Sequence, residues 1–325
     1  MNKTSVFLIA LTVLSYLSRT SAAQTLSELS LPQVKYVIYD NDDHRDVYTD
    51  EYLIALSHLG EIELLGMITT YTPNQREYDL FVQGRQEMVE LAKASGMKRL
   101  PTALAGTSQR LSPPPSNQIK DTRPLDLAAS RWLIEQSQKA SPEEPMVFAS
   151  GGQLTVIANS YLLDPTLPDR VIVCGVFGVQ QQDYNAGLDG WAWRIVLSKF
   201  RVLAIPIGPS SQRGTVYLKP PVVPKSQLLK ELSQDIPFFK WMYEKHHPSN
   251  ALPDGHDYDG QAVIPLKQPD YITKVQRWRV LGLDEAGNLK LEKHSQGHIF
   301  EALDAKQESA TDEFWRAFRA LSRSL

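Results

Sequence analysis

Six carboxylates, Asp40, Asp42, Asp43, Asp46, Asp50 and Glu51, fall within twelve residues of the stretch VIYDNDDHRDVYTDEY, directly after an apolar run. Acids at that density cannot all stay ionised at close range without compensation. A hard divalent cation is one compensator, since Ca2+ gathers oxygens from carboxylates, carbonyls and water. His44 and Arg45 in the same stretch are another. The plainer alternative is a solvated loop ahead of a helix, where Asp50 and Glu51 merely complement the positive end of the helix dipole. Other reactive residue types offer less. Cys174 has no paired His and reads as a small buried hydrophobe, ASGGQLT lacks the Lys-Ser/Thr of a phosphate loop, and His246-His247 sits in a Pro-adjacent loop.

Holding such a cluster in place requires a scaffold, and the flanking sequence supplies a pattern for one. VKYVIY, IELLGMITTY, LPTALAG, PMVFAS, RVIVCGVFG and FRVLAIPIG read as buried strands. TDEYLIALSHLG, YDLFVQGRQEMVELAKASG, PLDLAASRWLIEQSQKAS and LTVIANSYLLD carry apolar residues at helical spacing between them. That alternation predicts an α/β fold, an open, mostly parallel, Rossmann-like sheet with helices on both faces. In such sheets ligands sit beyond the carboxyl ends of the strands, where VKYVIY delivers Asp40 and its neighbours. A hairpin is expected in WRVLGLDEAGNLKLEKH and an amphipathic helix from about Thr311.

The chain has 325 residues, 42% of them hydrophobic, enough to bury a large core. Residues 1–23 have the order of a secretory signal peptide: Lys3, an apolar run from Val6 to Leu17, then small residues before Gln24. The expectation is a secreted or periplasmic chain whose residues 24–325 form a single domain, with no membrane span after cleavage. A lone cysteine cannot form an internal disulfide. A net charge of -3, with no basic stripe interleaved with aromatics, argues against a nucleic-acid polymer as partner.

Taken in order along the chain, these stretches resemble the calcium-dependent nucleoside hydrolases of the inosine-uridine type. YDNDD is similar to the family's opening Asp-Thr-Asp, which places Asp42 among the metal ligands, and TDEYLIALSHLGEIELLGMITTYTPN leads to Asn74 at the family's sugar-binding Asn. PMVFASGGQLTVIANSYLLD is similar to the stretch whose Thr carbonyl binds calcium, here Thr155. QDYNAGLDGWAW is similar to Glu-Phe-Asn followed by Asp, placing Asp183 and Asn185 on ribose contacts. HDYDGQAVIPL is similar to the closing His-Asp-Pro-Leu-Ala-Val. Matching Ala262 and Val263 to its Ala-Val makes Asp259 the last ligand, whereas a literal His-Asp match selects His256 and Asp257.

The chain departs from this pattern between Asp42 and its acidic pair. An equal step lands on Asp46 and Val47, and a four-residue insertion lands on Asp50 and Glu51. The resemblance thus implies Asp46 as general base, Asp50 and Glu51 as further ligands, and His256 or Tyr258 beside the leaving group. It implies a Ca2+-dependent hydrolase of N-glycosidic bonds acting on a nucleoside or other small ribosyl compound, and leaves association between copies of the chain open. Two alternatives follow from the departures: a metal-containing sugar- or nucleoside-binding protein that has lost the chemistry, and a hydrolase of another glycoside.

Overall fold

The computed structural model describes residues 26–43, 48–179, 184–206, 218, 221–245 and 257–325. Residues 1–23, expected to be a signal peptide, and Asp46, Asp183, His246-His247 and His256 lie outside the described residues. No helix within them is long and apolar enough to cross a membrane.

Nine described strands form one sheet: β1 Tyr36–Asn41, β2 Glu63–Thr70, β3 Thr102–Thr107, β4 Met146–Ser150, β5 Val171–Gly175, β6 Arg201–Ala204, β7 Ile272–Leu283, β8 Leu289–Lys293 and β9 Ile299–Ala305. Their spatial order is β3-β2-β1-β4-β5-β6-β9-β7-β8. Every pairing from β3 through β6 to β9 is parallel, and β7 pairs antiparallel with both β9 and β8. β4 and β5 are buried along their whole length, as a sheet covered on both faces requires.

The helices follow from the apolar spacing. They are α1 Thr49–Leu59, α2 Gln75–Ala94, α3 Ala128–Ser137, α4 Thr155–Leu163, α5 Tyr184–Leu188, α6 Gly190–Lys199, α7 Lys225–Glu231, α8 Pro237–Lys245 and α9 Gln307–Ser324. Two buried clusters lie on opposite sheet faces. One joins α1, α2 and α9 through Leu53, Leu56, Met88 and Phe318. The other joins α3, α4 and α6 through Leu133, Ile157 and Val196. Alternation along β1 feeds both, since Val37 and Tyr39 enter the first cluster and Ile38 the second.

β9 was not among the expected strands. Its run IFEALDA places Glu301 in the middle of a buried stretch, which breaks the apolar pattern. The carboxylate is satisfied there by Trp278 Nε1, which donates to Oε2 at 2.9 Å. β9 inserts between β6 and β7 and so ties the expected hairpin to the parallel sheet.

Candidate active site

From β1 the chain builds outward through β2 and β3, then returns to lay β4 on the other side of β1. The carboxyl ends of β1 and β4 therefore flank the topological switch point, where an open α/β sheet leaves a crevice. Asp40 and Asn41 end β1 with Asp42 directly after, and Ser150 ends β4 with Gly151 and Gly152 directly after. Gly151 N–H donates to Asp40 O at 3.0 Å, holding the two ends together. A Cβ on Gly151 would lie 2.6 Å from Asp259 Cγ, 2.7 Å from Tyr39 Oη and 2.8 Å from Asn41 Oδ1. Only glycine leaves room for those three groups to meet at one point.

Each acid at this strand end is held differently. Asp40 is fully buried. Its Oδ2 accepts from Thr70 Oγ1 at 2.9 Å, while its Oδ1 has no hydrogen-bond partner among the described residues. Burial pushes its carboxyl well above the usual range. Asn41 Nδ2 donates to Asp259 Oδ2 at 3.0 Å, and Asn41 Oδ1 accepts from Asp42 N–H at 2.8 Å. Asp42, 6% exposed, accepts from Asp43 N–H at 2.9 Å. Its carboxyl is pushed up to about 7, first by burial and then by the charge of Asp43.

Asp50 and Glu51 lie buried in the first turn of α1. The chain enters that helix through Tyr48, a buried residue in the left-handed region at φ 68, a conformation that non-glycine residues adopt at a cost. Asp257 and Asp259 flank Tyr258. Asp257 accepts from Thr49 Oγ1 at 2.7 and 2.8 Å and from Gly260 N–H at 2.8 Å, so it binds α1 to the turn Asp259–Ala262. Asp259 is the acid of that pair that reaches β1. Tyr258 is half-buried beside them, and burial raises its phenol pKa.

The remaining expected residues are committed to the scaffold. Asn74 is exposed and caps α2, its Oδ1 accepting from Arg76 and Glu77 N–H. Asn185 donates from Nδ2 to Gly151 O at 2.7 Å and Val176 O at 2.8 Å, using both amide protons to join the ends of β4 and β5. Thr155 opens α4 and donates from Oγ1 to Asp189 Oδ2 at 2.7 Å. In an α-helix its carbonyl serves the N–H four residues on.

Gln153 and Arg85 went unread in the sequence, and Asp189, the Asp that ends the match in QDYNAGLDGWAW, was given no role. Asp189 accepts from Thr155 Oγ1, Leu111 N–H and Ala192 N–H, capping α6 and anchoring the loop after β3. An Asp directly before a helical apolar run was the available signal. Gln153 is buried after Gly152; its Oε1 accepts from Thr72 Oγ1, and its Nε2 has no hydrogen-bond partner among the described residues. Arg85 is 1% exposed and donates from Nε to Asp50 Oδ2 at 2.9 Å. It shares the α2 stripe Tyr78, Phe81, Arg85, Met88, Ala92, whose spacing alternates three and four, and that register marked it as core-facing.

The expected calcium set was Asp42, Asp50, Glu51, Thr155 and Asp259. Asp50 pairs with a guanidinium and Asp259 accepts from an amide. Among the described residues no group of three or more His, Cys, Asp or Glu side chains gathers as a metal-holding cluster. Two of the five expected ligands are thus already engaged by groups of the chain itself.

At the level of sequence, no protein-family model and no curated relative matches the chain. Solved structures do match. A plant nucleoside hydrolase, PpNRh1, superposes with a TM-score of 0.62 at 16% identity, covering 88% of this chain and 99% of that one. The inosine-uridine preferring nucleoside hydrolase from Bacillus anthracis gives 0.58 at 16% identity, with 88% and 100% covered. A purine-preferring ribonucleoside hydrolase from Gardnerella vaginalis gives 0.55 at 16% identity, with 90% and 100% covered. The nine-stranded, mostly parallel sheet and its helices are thus an α/β architecture matching nucleoside hydrolase structures over most of the chain.

Proposed function

We propose that the chain hydrolyses the N-glycosidic bond of a nucleoside or related small ribosyl compound in the crevice between β1 and β4. The observation carrying this reading is the packing of Asp259, Tyr39 and Asn41 side chains and of Asp42 Cβ against the Gly151–Gly152 turn, whose Gly151 N–H bonds Asp40 O, at the switch point. The three solved structures compared above are nucleoside hydrolases. Cleaving such a bond builds positive charge on the sugar ring, and buried carboxylates stabilise it strongly where water is scarce. Asp42, with its carboxyl near 7, is matched to take a proton from the attacking water. Gln153 Nε2 offers a donor to a sugar oxygen. The leaving base would be protonated by Tyr258 or, outside the described residues, His256.

Ribose release from a nucleoside panel by the purified chain tests this reading. No release from any nucleoside sinks the nucleoside version. The Asn185 amide and the Asp50 carboxylate are both engaged by the chain itself, which favours as second reading a ribosyl-binding protein without turnover. Calorimetric binding of a nucleoside with no product after hours would select it. Residues 1–23 support export, which we carry as part of the proposal.

A further inference from the structure

Arg85 brings a fully buried cation to the place where the acidic stretch needs compensation. Its Nε donates to Asp50 Oδ2 at 2.9 Å, and its Nη1 donates to Asn41 O at 3.3 Å, Ile68 O at 3.1 Å and Thr69 Oγ1. Those acceptors belong to the ends of β1 and β2 and to the first turn of α1. One guanidinium therefore joins three elements whose carbonyl and carboxylate oxygens are the donor types a hard cation collects. Beside it, Tyr39 Oη, Asp259 Cγ and Asn41 Oδ1 all lie within 2.8 Å of the point a Gly151 Cβ would occupy. The Tyr39 hydroxyl is buried and has no hydrogen-bond partner among the described residues. The chain's own phenol and guanidinium thus lie among these acids.

We propose that Arg85 is the built-in cation of this strand end, standing against Asp50 where a divalent ion would otherwise bind. Asp50 is then an ion-pair partner and not a metal ligand, and the strand ends stay assembled without Ca2+. A guanidinium is suited to this because it stays protonated when buried and directs several N–H groups in one plane. It cannot act as a Lewis acid on water, so activation of water falls to a carboxylate. The inference takes only the location of the site from the proposed function, and its test does not depend on turnover.

The experiment uses the full chain, purified without added metal. Elemental analysis is expected to find substoichiometric calcium, and thermal unfolding is expected to show the same Tm in EDTA and across a Ca2+ titration into the millimolar range. Arg85→Met uncovers the oxygens, and its Tm is expected to rise with log Ca2+ as binding to the folded state requires. Arg85→Lys, which keeps a cation, is expected to stay indifferent to Ca2+. One calcium per wild-type chain, or a saturable Ca2+-dependent rise in wild-type Tm, overturns the proposal whether or not Arg85→Met folds. A folded Arg85→Met chain that ignores Ca2+ also overturns it. A chain that hydrolyses no nucleoside but shows the expected metal behaviour fails the functional reading and leaves this one standing.

Discussion

Arg85 Nε lies 2.9 Å from Asp50 Oδ2, across 35 residues of sequence, and both side chains are buried. The pair couples the middle of α2 to the first turn of α1 directly behind the acidic end of β1.

Breaking this pair from one side leaves an unpaired charge in the core. Arg85→Met is expected to cost about 3–5 kcal/mol of stability in urea unfolding, as removal of one partner from a buried ion pair does. Asp50→Asn alone is expected to destabilise as well, and Arg85→Met with Asp50→Asn to recover part of the loss. A double-mutant cycle with no coupling energy would contradict the pairing.

Asp42→Asn is expected to lower ribose release by about 10²–10⁴-fold, the usual weight of a positioned general base. The wild-type rate is expected to rise with pH through about 7, following deprotonation of the Asp42 carboxyl, and the variant to lose that limb. Full activity in Asp42→Asn would remove Asp42 from the mechanism.

The same carboxyl sets a direction for stability. Asp42 keeps its proton up to about 7 in the fold, whereas an unfolded Asp releases it near about 3.9. The folded state binds more protons between those values, so this contribution is full below the unfolded value and lost as pH rises through about 7. Wild-type Tm is expected to fall over that window more steeply than that of Asp42→Asn. Equal slopes in the two chains would count against the raised carboxyl.

Gly151→Ala tests the meeting point of β1, β4 and the Asp259 turn. Its Cβ would lie 2.6 Å from Asp259 Cγ, so the acid must move. The expected cost is about 1–3 kcal/mol, typical of overpacking, with activity falling further than stability. Unchanged kinetics would mean that Asp259 does not need its observed position.

Asp189→Ala strands three donors, Thr155 Oγ1, Leu111 N–H and Ala192 N–H. A loss of about 1–3 kcal/mol is expected for the buried groups left unsatisfied, larger than for Thr155→Val, which removes one of them. Chemical denaturation of both variants gives the comparison.

Much of this molecule is legible in its sequence. Apolar runs at strand and helix spacing determined the parallel sheet, because burial on two faces demands continuous hydrophobic strands and single-faced helices. The position of Asp40 and Asp42 at a strand end followed from the same pattern. β9 was hidden because a buried Glu301 interrupts its apolar run, and its partners Trp278 and Val179 lie far off in the sequence. The composition of the site was hidden for a related reason. Local sequence places Asp50 at a helix start and Arg85 on a core-facing stripe, but it carries no term for the distance between two helices packed on the same sheet face. Tertiary packing brought the guanidinium to the carboxylate, Asn41 to Asp259 and Gly151 among them. The sequence by itself determined that the acids would gather; the tertiary structure decided what neutralises them, because a buried charge is satisfied by whichever partner the fold brings within reach.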